Sequence, residues 1–231
     1  MRHWISRTAA PLLKLAVAAI IVGALPGAAL AAQCGGAERW PVKVASDPEA
    51  SEIHASRVIN ISVANLNEVT PSDVIAGNDE FDRMEVEKKV YRVSGFLALY
   101  KTEPDGDYHL AVTDETARVT KGGKKSRPTG HSFVAEIPRP KCFAGKRGQF
   151  PARSRFASEI AESRSAFEAG VANVNARRIG PRQIPVTITG VLFFDFEHKQ
   201  IGRSKVHKDA NGKELVVELH PILKIEFGGA R

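Results

Sequence analysis

The chain predicts a mainly β fold: a five-stranded barrel with one long helix, in the order strand, strand, strand, helix, strand, strand, behind an N-terminal extension. Three observations carry this reading. Short segments rich in β-branched and aromatic residues alternate in hydropathy from Val90 onward. A single later segment has helical spacing of its apolar residues. Proline, glycine and aspartate turns punctuate the rest.

The first barrel strand is Val90 to Lys101, with Gly95 inside as the place for a bulge or tight bend. Pro104-Asp105-Gly106 supplies a turn. Tyr108, Leu110 and Val112 then alternate with His109 and Ala111, so the two strands read as a hairpin. Ser132 to Ile137 is the third strand, stopped by Pro138 and Pro140. Ala152 to Arg177 reads as the helix, because Phe156, Ile160, Phe167, Val171 and Val174 recur on one side. Val186 to Phe196 and Leu215 to Phe227 are the last two strands. Three strands, a helix and two strands is the element order of the OB fold, a Greek-key barrel.

Upstream of the barrel, Arg2 and Arg7 precede an apolar run from Pro11 to Leu25, broken only by Lys14. Pro26-Gly27 and then Ala29-Leu30-Ala31 follow. A positive start, a short apolar centre and small residues before a cut define a signal peptide over 1–31. The run is shorter than the roughly 20 residues that span a bilayer. The expectation is therefore a periplasmic or secreted protein with no transmembrane segment in the mature chain. Residues 32–89 form the extension, with a short strand at Val58 to Val63, and residues 90–231 the barrel domain.

About 200 mature residues suffice for one ordinary core. Of the formal charge of +7, three positive charges (Arg2, Arg7, Lys14) belong to the leader, which leaves +4. Cys34 and Cys142 are the two cysteines, and export favours a bridge between them. Such a loop contributes on the order of 4 kcal/mol in the chain-entropy model.

Several motifs occur together: Tyr91-Arg-Val, Asp107-Tyr-His-Leu110, Glu136-Ile-Pro138, Phe193-Phe-Asp-x-x-His198 followed by Gln200 and Gly202, and Asn211-Gly212 leading to Glu218-Leu-His-Pro221. In this order, over roughly residues 40–227, they resemble a widespread group of short exported bacterial proteins. That resemblance implies export and an OB-like barrel and assigns no activity. The chain departs from the pattern in a longer basic loop at 119–130 and in extra residues (KVHKDANGKELVV) before Glu218, both expected as loop positions.

Asp107-x-His109 and Glu218-x-His220 are the most suggestive local patterns, since residues two apart on a strand share a face. With Glu136, Asp195 and His198 they make a seven-residue acid–histidine set, the donor chemistry of zinc or a similar divalent ion. The plain structural reading is that these groups pin loops, with His220 orienting a turn and tying the fifth strand to the second. A second candidate is the basic loop carrying Lys121, Lys124, Lys125 and Arg127, with Tyr91, Phe96 and Tyr100 as stacking platforms.

No nucleophile elbow, HExxH, P-loop or dinucleotide fingerprint is present in the sequence. The expected function is an exported OB-like binding module for a polyanion, either nucleic acid or acidic polysaccharide. A metal-dependent hydrolase such as a phosphodiesterase or nuclease is the alternative, and a structural envelope interaction protein a third reading. The thermonuclease family shows that an OB barrel hosts hydrolysis, although none of its active-site motif is found here.

Overall fold

A computed structural model describes residues 39–71, 82–114, 130–143, 153–175 and 184–228. In the extension, α1 (Trp40–Lys43), β1 (Val58–Ile61) and α2 (Val63–Asn67) precede the barrel. The barrel begins with β2 (Val90–Thr102), long enough to serve two neighbours. Its second half, Phe96 to Thr102, pairs antiparallel with β3 (Tyr108–Thr113), and its first half, Val90 to Leu97, pairs antiparallel with β5 (Ile184–Phe196). β4 (Ser132–Ile137) follows β3, and β7 (Glu214–Phe227) runs parallel to β4 and antiparallel to β5. The order β2-β3-β4-β7-β5 therefore returns to β2 and closes a five-stranded barrel. This is the OB-like arrangement that the element order predicts.

Alternation sorts each strand into two faces. Tyr108, Leu110 and Val112, Phe133, Ala135 and Ile137, and Leu215, Val217 and Leu219 belong to one buried apolar core. His109, Glu136, Glu218 and His220 have the opposite parity and face outward.

Several local expectations shift. The bulge in β2 falls between Leu97 and Leu99, not at Gly95. Gly95 instead permits close approach, because a Cβ there would meet the Thr113 carbonyl oxygen at 2.6 Å. The extra residues before Glu218 are no loose loop. They form β6 (Val206–Lys208) and the start of β7, a hairpin turned by Asp209, whose carboxylate accepts from the Asn211 and Lys213 amides. The helix spans Ala157–Gly170, shorter than expected, with Val171 already extended. (It is called α4, after the single turn α3, Pro140–Phe143.) The predicted stripe is nonetheless the buried one: Phe156, Ile160, Phe167 and Val171 enter the core and Val174 packs at its edge.

Arg164 ties the helix to the barrel. It approaches Glu168 at 3.4 Å, lies over the Tyr108 ring at 3.8 Å and donates to the carbonyls of Gly106, Ile137 and Pro138. Tyr91 and Tyr100 are buried, Tyr100 edge-on to Phe167, so neither is a stacking platform, and Phe96 is half-buried. Cys142 is fully buried and there is no free cysteine among the described residues; Cys34 lies outside them. Among the described residues no helix is long and apolar enough to cross a membrane.

The extension is fastened to the barrel by two buried ion pairs. Arg39 forks onto Glu87 at 2.8 and 2.6 Å, and the same carboxylate accepts from the Phe194 and Met84 amides. Arg83 holds Asp47 at 2.6 Å. Both sit on 3₁₀ turns or their flanks (Pro48–Glu52 and Glu85–Lys88). The first sets the start of α1 against β5, where Lys43 lies over the Phe193 ring and reaches Asp195.

Candidate functional site

Strand register builds the site. His109 on β3 is the direct partner of Glu136 on β4. Across the parallel β4–β7 pair, Val134 partners Glu218. Two residues further along both strands stand Glu136 and His220, with 3.4 Å between Oε2 and Nδ1. Asp195 enters from the end of β5, one side chain out from the core residue Phe194. A row of acids and imidazoles thus crosses four adjacent strands on the outside of the barrel.

Two loops and the extension turn this row into a cleft of about 420 Å³. The β2–β3 turn contributes Glu103, Pro104 and Asp105, and the segment after β5 contributes His198 to Ile201. Lys43 reaches in from α1. The loop after β5 can pass close over β3 because Gly202, at φ +84°, lies against Ala111, where a Cβ would collide. In OB barrels the second and third strands, with the loops joining strands one to two and four to five, form the usual ligand surface. The cleft occupies that place.

Of the seven expected residues, His109, Glu136, Asp195, His198 and Glu218 line the cleft. Asp107 and His220 lie buried next to it, each grouped with Glu136. The structure therefore brings the set together. His198 is the outlier: its side chain is 62 % exposed, and Nδ1 donates to the Phe196 carbonyl. His220 does not tie β7 to β3 through a turn. It sits within β7 beside Glu136 and edge-on to Phe193. Lys121, Lys124, Lys125 and Arg127 lie outside the described residues.

Sequence reasoning missed Lys43, Glu103 and the cleft role of Gln200. Gln200 donates to Glu218 Oε1 at 3.2 Å, and its place in the FFDxxHxQxG-like motif was the available signal. Lys43 is one lysine among many in the sequence, with nothing local to mark it.

The electrostatics follow from burial. Burial alone would lower the Lys43 ammonium, but Asp195 at 3.2 Å, with Glu136 and Glu218 nearby, outweighs that cost and holds it raised. Glu136 feels the same desolvation, which raises it. The His109 hydrogen bond, His220 and Lys43 win and hold its carboxyl well below the usual carboxylate range. Glu218 goes the other way: burial, then the charges of Asp195 and Glu136, push it well above that range against Lys43 and Gln200. Asp107 is raised mainly by burial, and then by Asp105 and Glu136. Burial holds the His220 imidazole neutral, down to about 3.

The hydrogen-bond account of these buried groups is incomplete. Neither ring nitrogen of His220 makes a hydrogen bond to protein, and neither do Asp107 Oδ2 and Glu218 Oε2. A buried polar atom without a partner costs about 1–3 kcal/mol. Asp107, Glu136 and His220 each offer one ligating atom, all within 4.8 Å of one another, and Glu103, His109 and Glu136 do the same. Two carboxylates and an imidazole suit a divalent ion of the zinc or manganese kind.

Neither a protein-family model nor a curated relative matches this chain. The motif resemblance to short exported proteins stands on the motifs alone.

Proposed function

We propose that the mature chain is an exported OB-like binding module, bridged between Cys34 and Cys142, whose ligand site is the acid–histidine cleft and whose first ligand is a divalent cation. One observation carries the reading. Asp107, Glu136 and His220 converge within 4.8 Å while Asp107 Oδ2 and both His220 nitrogens make no hydrogen bond in a buried setting. A cation binding there supplies a partner to Asp107 Oδ2 and to one His220 nitrogen, with Glu136 as its third ligand.

This reading revises the polyanion expectation. The net charge of the mature chain is compatible with an anionic ligand, but the cleft walls carry Glu103, Asp105, Glu136, Asp195 and Glu218 against Lys43, Lys101 and Lys199. A bare phosphate chain is repelled by such walls. A bound cation reverses the local sign, and nucleic acid or acidic polysaccharide then enters as a ligand of the metal. The hydrolase reading gains from the same convergence, since a bound metal next to an open cleft activates water. The interaction-protein reading gains little: the exposed large apolar residues among those described are Val58, Ile59 and Ile201, too few for a docking patch.

The test is a thermal melt of the metal-stripped mature protein against zinc, manganese, magnesium and calcium. An ion at 100 times its Kd stabilises by about 2.7 kcal/mol, which raises Tm by about 5–10 °C for a chain of this size. The shift is expected for one or more ions and is reduced in His220→Ala. If no ion moves the melting temperature, the acid–histidine pairs are structural and the reading is wrong.

A further inference from the structure

Glu136 turns its two oxygens toward different neighbours. Oε1 meets His109 Nδ1 at 2.8 Å, and Glu103 Oε1 stands 3.6 Å from the same nitrogen. Oε2 faces His220 Nδ1 at 3.4 Å, with Asp107 completing that group. Two three-residue ligand sets thus share one carboxylate. Glu103, His109 and Glu136 line the cleft, while Asp107 and His220 are sealed next to it. A carboxylate offers about four lone-pair sites over its two oxygens, enough to bridge two cations.

The outer set has a signature of its own, independent of the unpartnered atoms of the inner one. His109 Nε2 lies 3.0 Å from the Ile201 carbonyl oxygen, which only accepts, so Nε2 carries a hydrogen. In the neutral ring Nδ1 then presents a lone pair, and it points at Glu136 Oε1, which also presents lone pairs. Something positive belongs with them, either a proton along the 2.8 Å line or a metal ion beside it that takes both atoms as adjacent ligands. Histidines that ligate metals commonly donate their other ring N–H to a backbone carbonyl, which fixes the tautomer. Ile201 performs that service here, on a loop that Gly202 allows to lie close over β3.

We propose that the cleft holds two divalent cations bridged by Glu136, an inner ion on Asp107 and His220 and an outer ion on Glu103 and His109. The inference rests on the cation reading above and deepens it. The outer ion borders the open cleft, so water and a ligand oxygen reach it directly. Paired cations favour a phosphate or phosphoester, whose oxygens span both ions. Lys101 and Lys199 on the same walls complement that charge.

The experiment is titration of the metal-stripped mature protein with manganese, read by calorimetry for stoichiometry and by electron paramagnetic resonance for coupling. Two ions per chain with an exchange-coupled spectrum are expected. His109→Ala and the more exposed Glu103→Gln each reduce this to one uncoupled ion, as does His220→Ala, with circular dichroism confirming that each variant is folded. One ion per chain, with affinity unchanged in both His109→Ala and Glu103→Gln, overturns the bridged pair and leaves the single-ion reading standing. No bound ion overturns both.

Discussion

Two buried polar clusters lie on the outside of this barrel, and they are built on opposite terms. In the extension, Arg39–Glu87 and Arg83–Asp47 match each carboxylate to a guanidinium fork, and further amides and carbonyls take up nearly all the remaining sites; only Arg39 Nε lacks a partner. In the cleft, acids outnumber the cations that face them, and His220, Asp107 and Glu218 keep unmatched atoms. A saturated cluster can only hold parts together. An unsaturated one stores an interaction that a ligand completes. The first cluster positions the second, because Arg39 sets the start of α1, and with it Lys43, against β5.

Breaking the saturated cluster has the largest expected effect. Glu87→Ala strands the buried Arg39 charge and the Phe194 amide, and is expected to cost about 3–5 kcal/mol in denaturant unfolding. Divalent metal should stabilise variant and wild type alike and leave that difference unchanged, since no ligating atom is changed. A loss under about 1 kcal/mol would mean that the pair is solvated and the contrast between the clusters is false.

Gly202→Ala acts on the roof of the cleft. The added Cβ collides with Ala111 at a positive φ, so the loop carrying Gln200 and the Ile201 carbonyl must lift. The expected cost is about 1–3 kcal/mol of stability, with weakened metal binding. Wild-type affinity in this variant would show that the His109–Ile201 contact plays no part in the site.

Lys43→Met is the finest probe. Lys43 is a tethered cation among Asp195, Glu136 and Glu218, so it competes with any metal for the same field. Its removal is expected to tighten manganese binding by about tenfold, or 1.4 kcal/mol, measured by titration. Weaker binding would mean that Lys43 organises the acids and does not compete with the ion.

Much of the barrel was legible because it rests on local chemistry. Alternation marked β3 and β4 to within a residue, Pro104-Asp105-Gly106 marked the hairpin of β2 and β3, and the apolar stripe from Phe156 to Val174 marked the helix face. The helix ends were less legible, since Val171 is apolar whether it is helical or extended. β6 was missed because a three-residue strand carries too little pattern to separate from a loop. The acid–histidine set was legible by residue type and by the i, i+2 spacing of Asp107-x-His109 and Glu218-x-His220. Its completion by Glu103 and Lys43 was not, for each is an ordinary surface residue in its own stretch of chain.

The sequence by itself determined the strand order, the inward and outward faces and the presence of an acid–histidine vocabulary, because hydropathy period and turn chemistry act over a few residues. Tertiary structure alone decided that Glu136 lies between two histidines, that the β4–β7 register is parallel at that point, and that a lysine from the extension enters the nest. Those juxtapositions arise from barrel closure and from buried ion pairs 36 and 48 residues apart in the chain. Contacts that long depend on which partners are desolvated together, and no local window of sequence contains that information.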